Sequence, residues 1–255
     1  MPGLWGTMTT NKEFVAVRKV IEGWDAAYRR LLDGLDKHKD FLERFEAKEY
    51  DNGFWPLLDV LGMLAVFENR KPKTFLEIGC GNSTKWARRI SDYLELDLNI
   101  VCVDPEPRVD VLEVASSFEK RPAQDLPVEW YVKQFEGHAT ILSIDTSHYC
   151  DMSNEGPFLF LDLLPALPWA TWVQVHDQFL PWDYPTEWNA RRYHETYLCA
   201  LMLLGREWRA TLPVYYASQA QEVNSVFDPL WKASPFLAGL PRDGGSLWLQ
   251  KLGAP

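Results

Sequence analysis

Four residues in two short segments carry the strongest chemical signal in the chain: Asp145 and His148 in ILSIDTSHY, and His176 and Asp177 in VQVHDQFLPWDYPTEW. Each segment starts as an apolar run and turns polar, as a buried strand does where it leaves a sheet. Three readings are open. In the first, Asp145 and Asp177 give hard oxygen ligands to a divalent cation, Mg2+ or Mn2+, which lowers the pKa of a substrate hydroxyl. His176 as a further ligand would favour Mn2+, Fe2+ or Zn2+, and Gln178 is a poor ligand for a hard cation. In the second, His148 or His176 accepts a substrate proton while an aspartate orients the imidazole. In the third, the acids cap loops and the histidines bond backbone carbonyls.

A second constellation lies upstream, in FLEIGCGNST. Gly79 and Gly81 allow a tight turn and close approach of the backbone to a ligand. Asn82, Ser83 or Thr84 can cap the helix that follows. Asp104 ends the next apolar run, VCVD, 23 residues after Gly81, where an acid can accept hydrogen bonds from both hydroxyls of a ribose. Loop and acid together indicate a cofactor containing a nucleoside. A dinucleotide loop would carry a third glycine where Thr84 stands. Glu77 beside the turn would repel a pyrophosphate but suits a cofactor with an amino group and a sulfonium.

The elements that must position these groups follow from the apolar spacing. Residues 12–48 and 57–67 read as helical, with a turn at Asn52-Gly53 between them. From residue 71 the pattern changes to short apolar strands alternating with helices. The strands are expected at 74–78, 99–103, 128–132, 140–144, 171–175, 210–216 and 246–251, and the helices at 84–94, 109–120, 158–167 and 191–204. Such alternation is that of an α/β, doubly wound, Rossmann-like parallel sheet, which binds ligands at the carboxyl ends of its strands. The division expected is an N-terminal helical lid or homodimer surface over 1–70 and a cofactor-binding domain over 71–255. Asn52-Gly53-Phe54-Trp55 could reach the active site.

Composition narrows the partners. The 255 residues carry 26 Lys and Arg against 36 Asp and Glu, a net charge of −10, so nucleic acid and anionic membranes are not expected. No apolar run approaches the roughly 20 residues of a membrane span. The first ten residues show no basic or apolar leader. The four cysteines form no CxxC pair, Cys102 and Cys199 sit in apolar runs as buried free thiols, and the cytoplasm is the expected compartment. Aromatic residues make up 14%. Trp182, Tyr184 and Trp188 can wall a pocket or attract a cation.

The segments FLEIGCGNST and VCVDPEP resemble the first two motifs of class I S-adenosylmethionine-dependent methyltransferases. ILSIDTSHY, VQVHDQFLPWDYPTEW and HETYLCALMLL are similar to a bacterial branch acting on small molecules. The resemblance spans about residues 50–216. It implies a methyltransferase sheet of seven strands, six parallel and the last antiparallel, with S-adenosyl-L-methionine as cofactor and a small-molecule substrate methylated at oxygen or, as second choice, at nitrogen. Glu77, Gly79 and Gly81 would face the methionine part, Asp104 the ribose, and the loop Gln134-Phe135-Glu136 the adenine. Ser83 and Phe135 count among the cofactor-binding residues on this reading. Three other readings compete: cyclisation of the cofactor's aminobutyl chain on the same fold, a nicotinamide-dependent oxidoreductase, and a non-catalytic cofactor-binding or scaffold protein.

Overall fold

The computed structural model describes residues 12–152 and 154–253. Its centre is set by two strands, β1 (Thr74–Ile78) and β4 (Thr140–Ile144), apart from their threonines built of apolar or neutral residues except Glu77 and buried at every position. Strands covered on both faces belong inside a parallel sheet with helices on each side. β1 pairs in parallel with β2 (Asn99–Val103) and with β4. β2 pairs with β3 (Ser117–Glu119), and β4 with β5 (Trp172–Val175). β6 (Trp208–Pro213) lies at the far edge, separated from β5 by β7 (Leu247–Lys251), which is antiparallel to both. The order is β3-β2-β1-β4-β5-β7-β6. Six strands run one way and the last opposes them, as the resemblance implied.

Several expected elements are corrected. Residues 128–132 are not the third strand; Val128–Lys133 is a helix entered through Pro127. A short run rich in β-branched and aromatic residues does not distinguish the two by periodicity alone. Nor is 109–120 a helix. Ser116 exchanges hydrogen bonds with Ile100 through its backbone N–H and its hydroxyl, which draws residues 117–119 alongside β2 as the real third strand. The helix expected over 12–48 is broken into Val15–Glu22, Asp25–Leu32 and shorter turns. Gly23 closes the first, and Gly34, with φ of 73°, turns the chain left-handed after the second. The helix expected from 191 begins at Glu195, because Arg192 takes a left-handed conformation. The strand expected over 210–216 ends at Pro213, and Val214–Gln219 is helical.

The helix Leu57–Arg70 buries every residue from Leu57 to Phe67, including Asp59. One apolar cluster runs from Val17 in the N-terminal helices to Leu249 in β7, so the core is continuous across residue 70. All four cysteines are free, and Cys102 and Cys199 are buried. Among the described residues no helix is long and apolar enough to cross a membrane.

A continuous core predicts cooperative unfolding. Leu61→Ala, at a fully buried position, should lower stability by about 3 kcal/mol in one urea transition. Two separated transitions, with only the first displaced, would contradict this.

Candidate active site

The site is assembled where β1, β2 and β4 end together. Gly79 N–H donates to the Val103 carbonyl (3.0 Å), and Asp145 N–H donates to the Ile78 carbonyl (2.9 Å). Gly79 has φ of 82°, and a Cβ there would stand 1.8 Å from the Asp145 carbonyl oxygen. Only glycine permits this approach. The turn continues through Cys80, whose N–H donates to Asp104 Oδ2 (2.7 Å), while Asp104 Oδ1 accepts from Glu106 N–H (2.7 Å). The loop is thus shaped by the acid that the sequence marked as a ribose ligand.

A cleft of about 590 Å3 opens over these strand ends. Gly79, Gly81, Asp104 and Asp145 line it, together with Phe54 from the turn before the helix Leu57–Arg70. Asn52 holds that turn by accepting from Phe54 N–H and Trp55 N–H, so the Asn52–Trp55 segment does reach the site. Asp104, Glu106, Asp145 and Glu155 face the cleft against the single guanidinium of Arg108. Such a lining favours a cationic ligand.

Glu77 and Ser83 do not line the cleft; both are buried beneath it. Thr84, where a dinucleotide loop would have glycine, donates its hydroxyl to Glu77 and accepts from Gly81 N–H (2.9 Å). Burial raises the Glu77 pKa to about 8, against hydrogen bonds from Ser83 and Thr84 that oppose it and neighbouring Asp145 and Asp104 that reinforce it. Phe135 is a correction. It lines a separate hollow of about 220 Å3 with Thr140 and Trp172, at the amino ends of β4 and β5. The error follows from the misplaced third strand. The loop beyond the true β3 brings Pro122, Ala123 and Gln124 to the cleft instead.

Beside the cleft, Asp145, His148, His176 and Asp177 come together as expected. They alternate around a ring. His148 Nε2 lies 3.5 Å from Asp145 Oδ1 and 3.2 Å from Asp177 Oδ2. His176 Nδ1 lies 3.7 Å from Asp145 Oδ2 and 3.4 Å from Asp177 Oδ1. His148 and Asp177 both have left-handed backbones, φ 62° and 55°, a conformation that non-glycine residues keep only where surroundings enforce it. Asp145 is the most open member, its side chain 27% exposed. It belongs to both ring and cleft.

Two acids stand behind the imidazoles. Glu195 Oε2 lies 2.9 Å from His148 Nδ1, and Asp59 Oδ2 lies 3.1 Å from His176 Nε2. Asp59 also accepts from Gly245 N–H (2.9 Å), Ser246 N–H (2.8 Å) and the Ser246 hydroxyl (2.5 Å). Trp55 stacks on His176 with centroids 4.5 Å apart, and Tyr193 leans over His148 at 4.6 Å. The sequence carried one signal for Asp59, a lone acid within the apolar run LLDVLGML. Glu195 opens a helix and is buried, which its place in the sequence does not signal.

The electrostatics of the ring are set by crowding. Burial works against protonated His148, but the carboxylates of Asp177, Glu195 and Asp145 outweigh it and raise its pKa to about 9. His176 is raised in the same manner, burial being overcome by Asp145, Asp177 and Asp59. Burial raises Asp145, partly offset by the imidazoles. Asp177 is lowered, because the two imidazoles overcome its burial.

No protein-family model matches the chain, and no curated protein does either. Solved structures do align. The architecture is a doubly wound, Rossmann-like α/β sheet of seven strands. CmcI with Mg and SAM aligns over 74% of this chain and 69% of its own, with 13% identity and a TM-score of 0.41. MycE, a methyltransferase from the mycinamycin biosynthetic pathway in complex with Mg, SAH and mycinamycin VI, aligns over 74% of this chain and 48% of its own, with 17% identity and a TM-score of 0.38. A DUF574 family protein from Streptomyces avermitilis aligns over 96% of this chain and 99% of its own, with 12% identity and a TM-score of 0.47. These are distant likenesses of architecture, and the chemistry of the site rests on the residues described above.

The buried Glu77 has a consequence for pH. Its folded pKa lies above the unfolded value of 4.5, so its contribution is fully present below about pH 4.5 and is lost as pH rises toward 8. Glu77→Gln should remove that component. Measured by denaturant unfolding, the variant should gain on the wild type between pH 5 and pH 8. A constant difference across that range would contradict a neutral buried Glu77.

Proposed function

We propose that the protein transfers the methyl group of S-adenosyl-L-methionine to a hydroxyl oxygen of a small molecule. The observation that carries this reading is the shared position of Asp145, which joins an acidic cleft at the strand ends to a ring of proton-binding groups. In the cleft, Asp104 would hold the ribose hydroxyls, and the Gly79–Gly81 turn would pass close to the methionine part. The acidic lining suits the amino group and the sulfonium.

Methyl transfer is an in-line displacement. The hydroxyl oxygen forms a bond to the methyl carbon, and the carbon–sulfur pair returns to sulfur, leaving S-adenosylhomocysteine. The hydroxyl proton passes to the ring, whose cleft-facing member is Asp145. The chain's other tasks are to align oxygen, carbon and sulfur and to exclude water. Phe54 at the mouth of the cleft and Trp55 against His176 serve the second task. The donor set also fits a divalent cation: three buried carboxylates, Asp59, Asp177 and Glu195, and the half-buried Asp145 face two imidazoles. Asp145 and Asp177 would hold such an ion, Mg2+ or Mn2+, which when bound would lower the pKa of the substrate hydroxyl.

Calorimetry and product analysis test this reading. Wild-type protein should bind S-adenosylhomocysteine, and Asp104→Ala should weaken binding about 10- to 100-fold, the loss of hydrogen bonds to a ribose. No binding at millimolar concentration would sink the cofactor assignment. Asp177→Ala should abolish turnover in a mixture of small hydroxylated acceptors while binding the cofactor product as before. Mass spectrometry should show S-adenosylhomocysteine as the product. Methylthioadenosine would point to cyclisation of the aminobutyl chain instead.

A further inference from the structure

The ring and its two outer acids have a geometry that plain acid–base work does not require. Both imidazoles are gripped on the outer nitrogen by a carboxylate at hydrogen-bond distance, 2.9 Å for Glu195 and 3.1 Å for Asp59. Asp59 is itself fixed by the backbone at Gly245 and Ser246. The inner nitrogens face Asp145 and Asp177 across 3.2 to 3.7 Å. Three of those four separations exceed the usual N–H···O range of about 2.7–3.2 Å. The outer contacts are therefore hydrogen bonds, whereas three of the four inner contacts are longer than that.

The charges point the same way. No lysine or arginine among the described residues forms an ion pair with Asp59, Asp145, Asp177 or Glu195; their ion-pair partners are His148 and His176 alone. Burying the carboxylates of Asp59, Asp177 and Glu195 beside the half-covered Asp145 is costly unless positive charge joins them, and besides the imidazoles only the more distant guanidiniums of Arg108 and Arg191 act on Asp145 and Asp177. An imidazole whose far nitrogen is held by a carboxylate is the usual arrangement of a metal-bound histidine, since the acid fixes the tautomer and strengthens the ligand. The cluster of Glu77, Cys80 and Cys102 is tighter, with donor atoms within 4.8 Å of one another. It lacks such an outer partner, and one oxygen of its carboxyl accepts from Thr84.

We propose that the two histidines are themselves ligands, so that His148 Nε2 and His176 Nδ1 join one oxygen each of Asp145 and Asp177 around a single divalent cation that accepts nitrogen, such as Zn2+, Co2+ or Mn2+, in preference to Mg2+. This deepens the active-site reading and rests on it for the ion's catalytic use. The selectivity follows from the donors. Mg2+ takes oxygen ligands and retains its waters, while imidazole suits the later transition cations. Asp59 and Glu195 are positioning residues that act through the imidazoles.

The test uses untagged, full-length protein stripped with chelator. Calorimetry with Zn2+, Co2+ and Mg2+ should show one site per chain, with Zn2+ and Co2+ at least 100-fold tighter than Mg2+. X-ray absorption of the zinc-loaded wild type should show two imidazoles, a readout that needs no variant to fold. Asp59→Asn and Glu195→Gln should each weaken Zn2+ binding about 10- to 100-fold with circular dichroism unchanged. Equal affinity for Mg2+, an absorption spectrum without imidazole, or no bound metal would overturn the proposal. Titration of the same stripped protein with S-adenosylhomocysteine separates the two readings. Cofactor binding without metal binding removes only the metal centre, and metal binding without cofactor binding removes only the cofactor assignment.

Discussion

The close approach of Gly79 to the backbone of Asp145 is the contact on which the site depends. It brings the end of β1 against the end of β4 with no room for a side chain between them. The hydrogen bonds from Gly79 to Val103 and from Asp145 to Ile78 extend the junction across three neighbouring strands. Because the strands are parallel, their carboxyl ends emerge on one rim. The cleft and the ring then share a wall, and Asp145 is the residue in that wall.

Around this junction the fold places polar groups where burial is expensive. Asp59 lies fully buried in an otherwise apolar stretch of helix, and Glu195 is buried at the start of another. Neither helps the core as an apolar residue would. Each is retained with hydrogen bonds that orient an imidazole, and Asp59 also ties the loop before β7 to the helix Leu57–Arg70. The left-handed backbones of His148 and Asp177 add to the cost. Strain and buried charge concentrated on four adjacent side chains mark a place shaped for chemistry rather than for stability. The N-terminal helices contribute directly, through Phe54 at the cleft, Trp55 on His176 and Asp59 behind it.

Much of this was legible in the sequence because it is written in local order. Glycine turn, strand, acid, and acids at two later strand ends are signals of type and spacing, and Gly79, Gly81, Asp104, Asp145, His148, His176 and Asp177 all stand at the rim. The third strand was not legible. Its three residues at the sheet edge give too short a period to read, and the apolar run at 128–132 served a helix. That one error moved the adenine loop to Phe135, at the wrong end of the sheet. The breaks in the N-terminal helices depend on single glycines, Gly23 at the end of one helix and the left-handed Gly34 after the next, which no periodicity reveals. Asp59 and Glu195 were hidden for another reason: the partners that give them a role, His176 and His148, lie 117 and 47 residues away.

The central claim is that one cleft delivers a methyl group to the ring through the wall they share. A crystal structure with S-adenosylhomocysteine bound tests it most directly. The account predicts ribose hydroxyls on Asp104 and the sulfur turned toward Asp145, with open volume between the sulfur and the ring. A cofactor seated with its sulfur away from Asp145, or density in the cleft that bypasses Asp104, would contradict it.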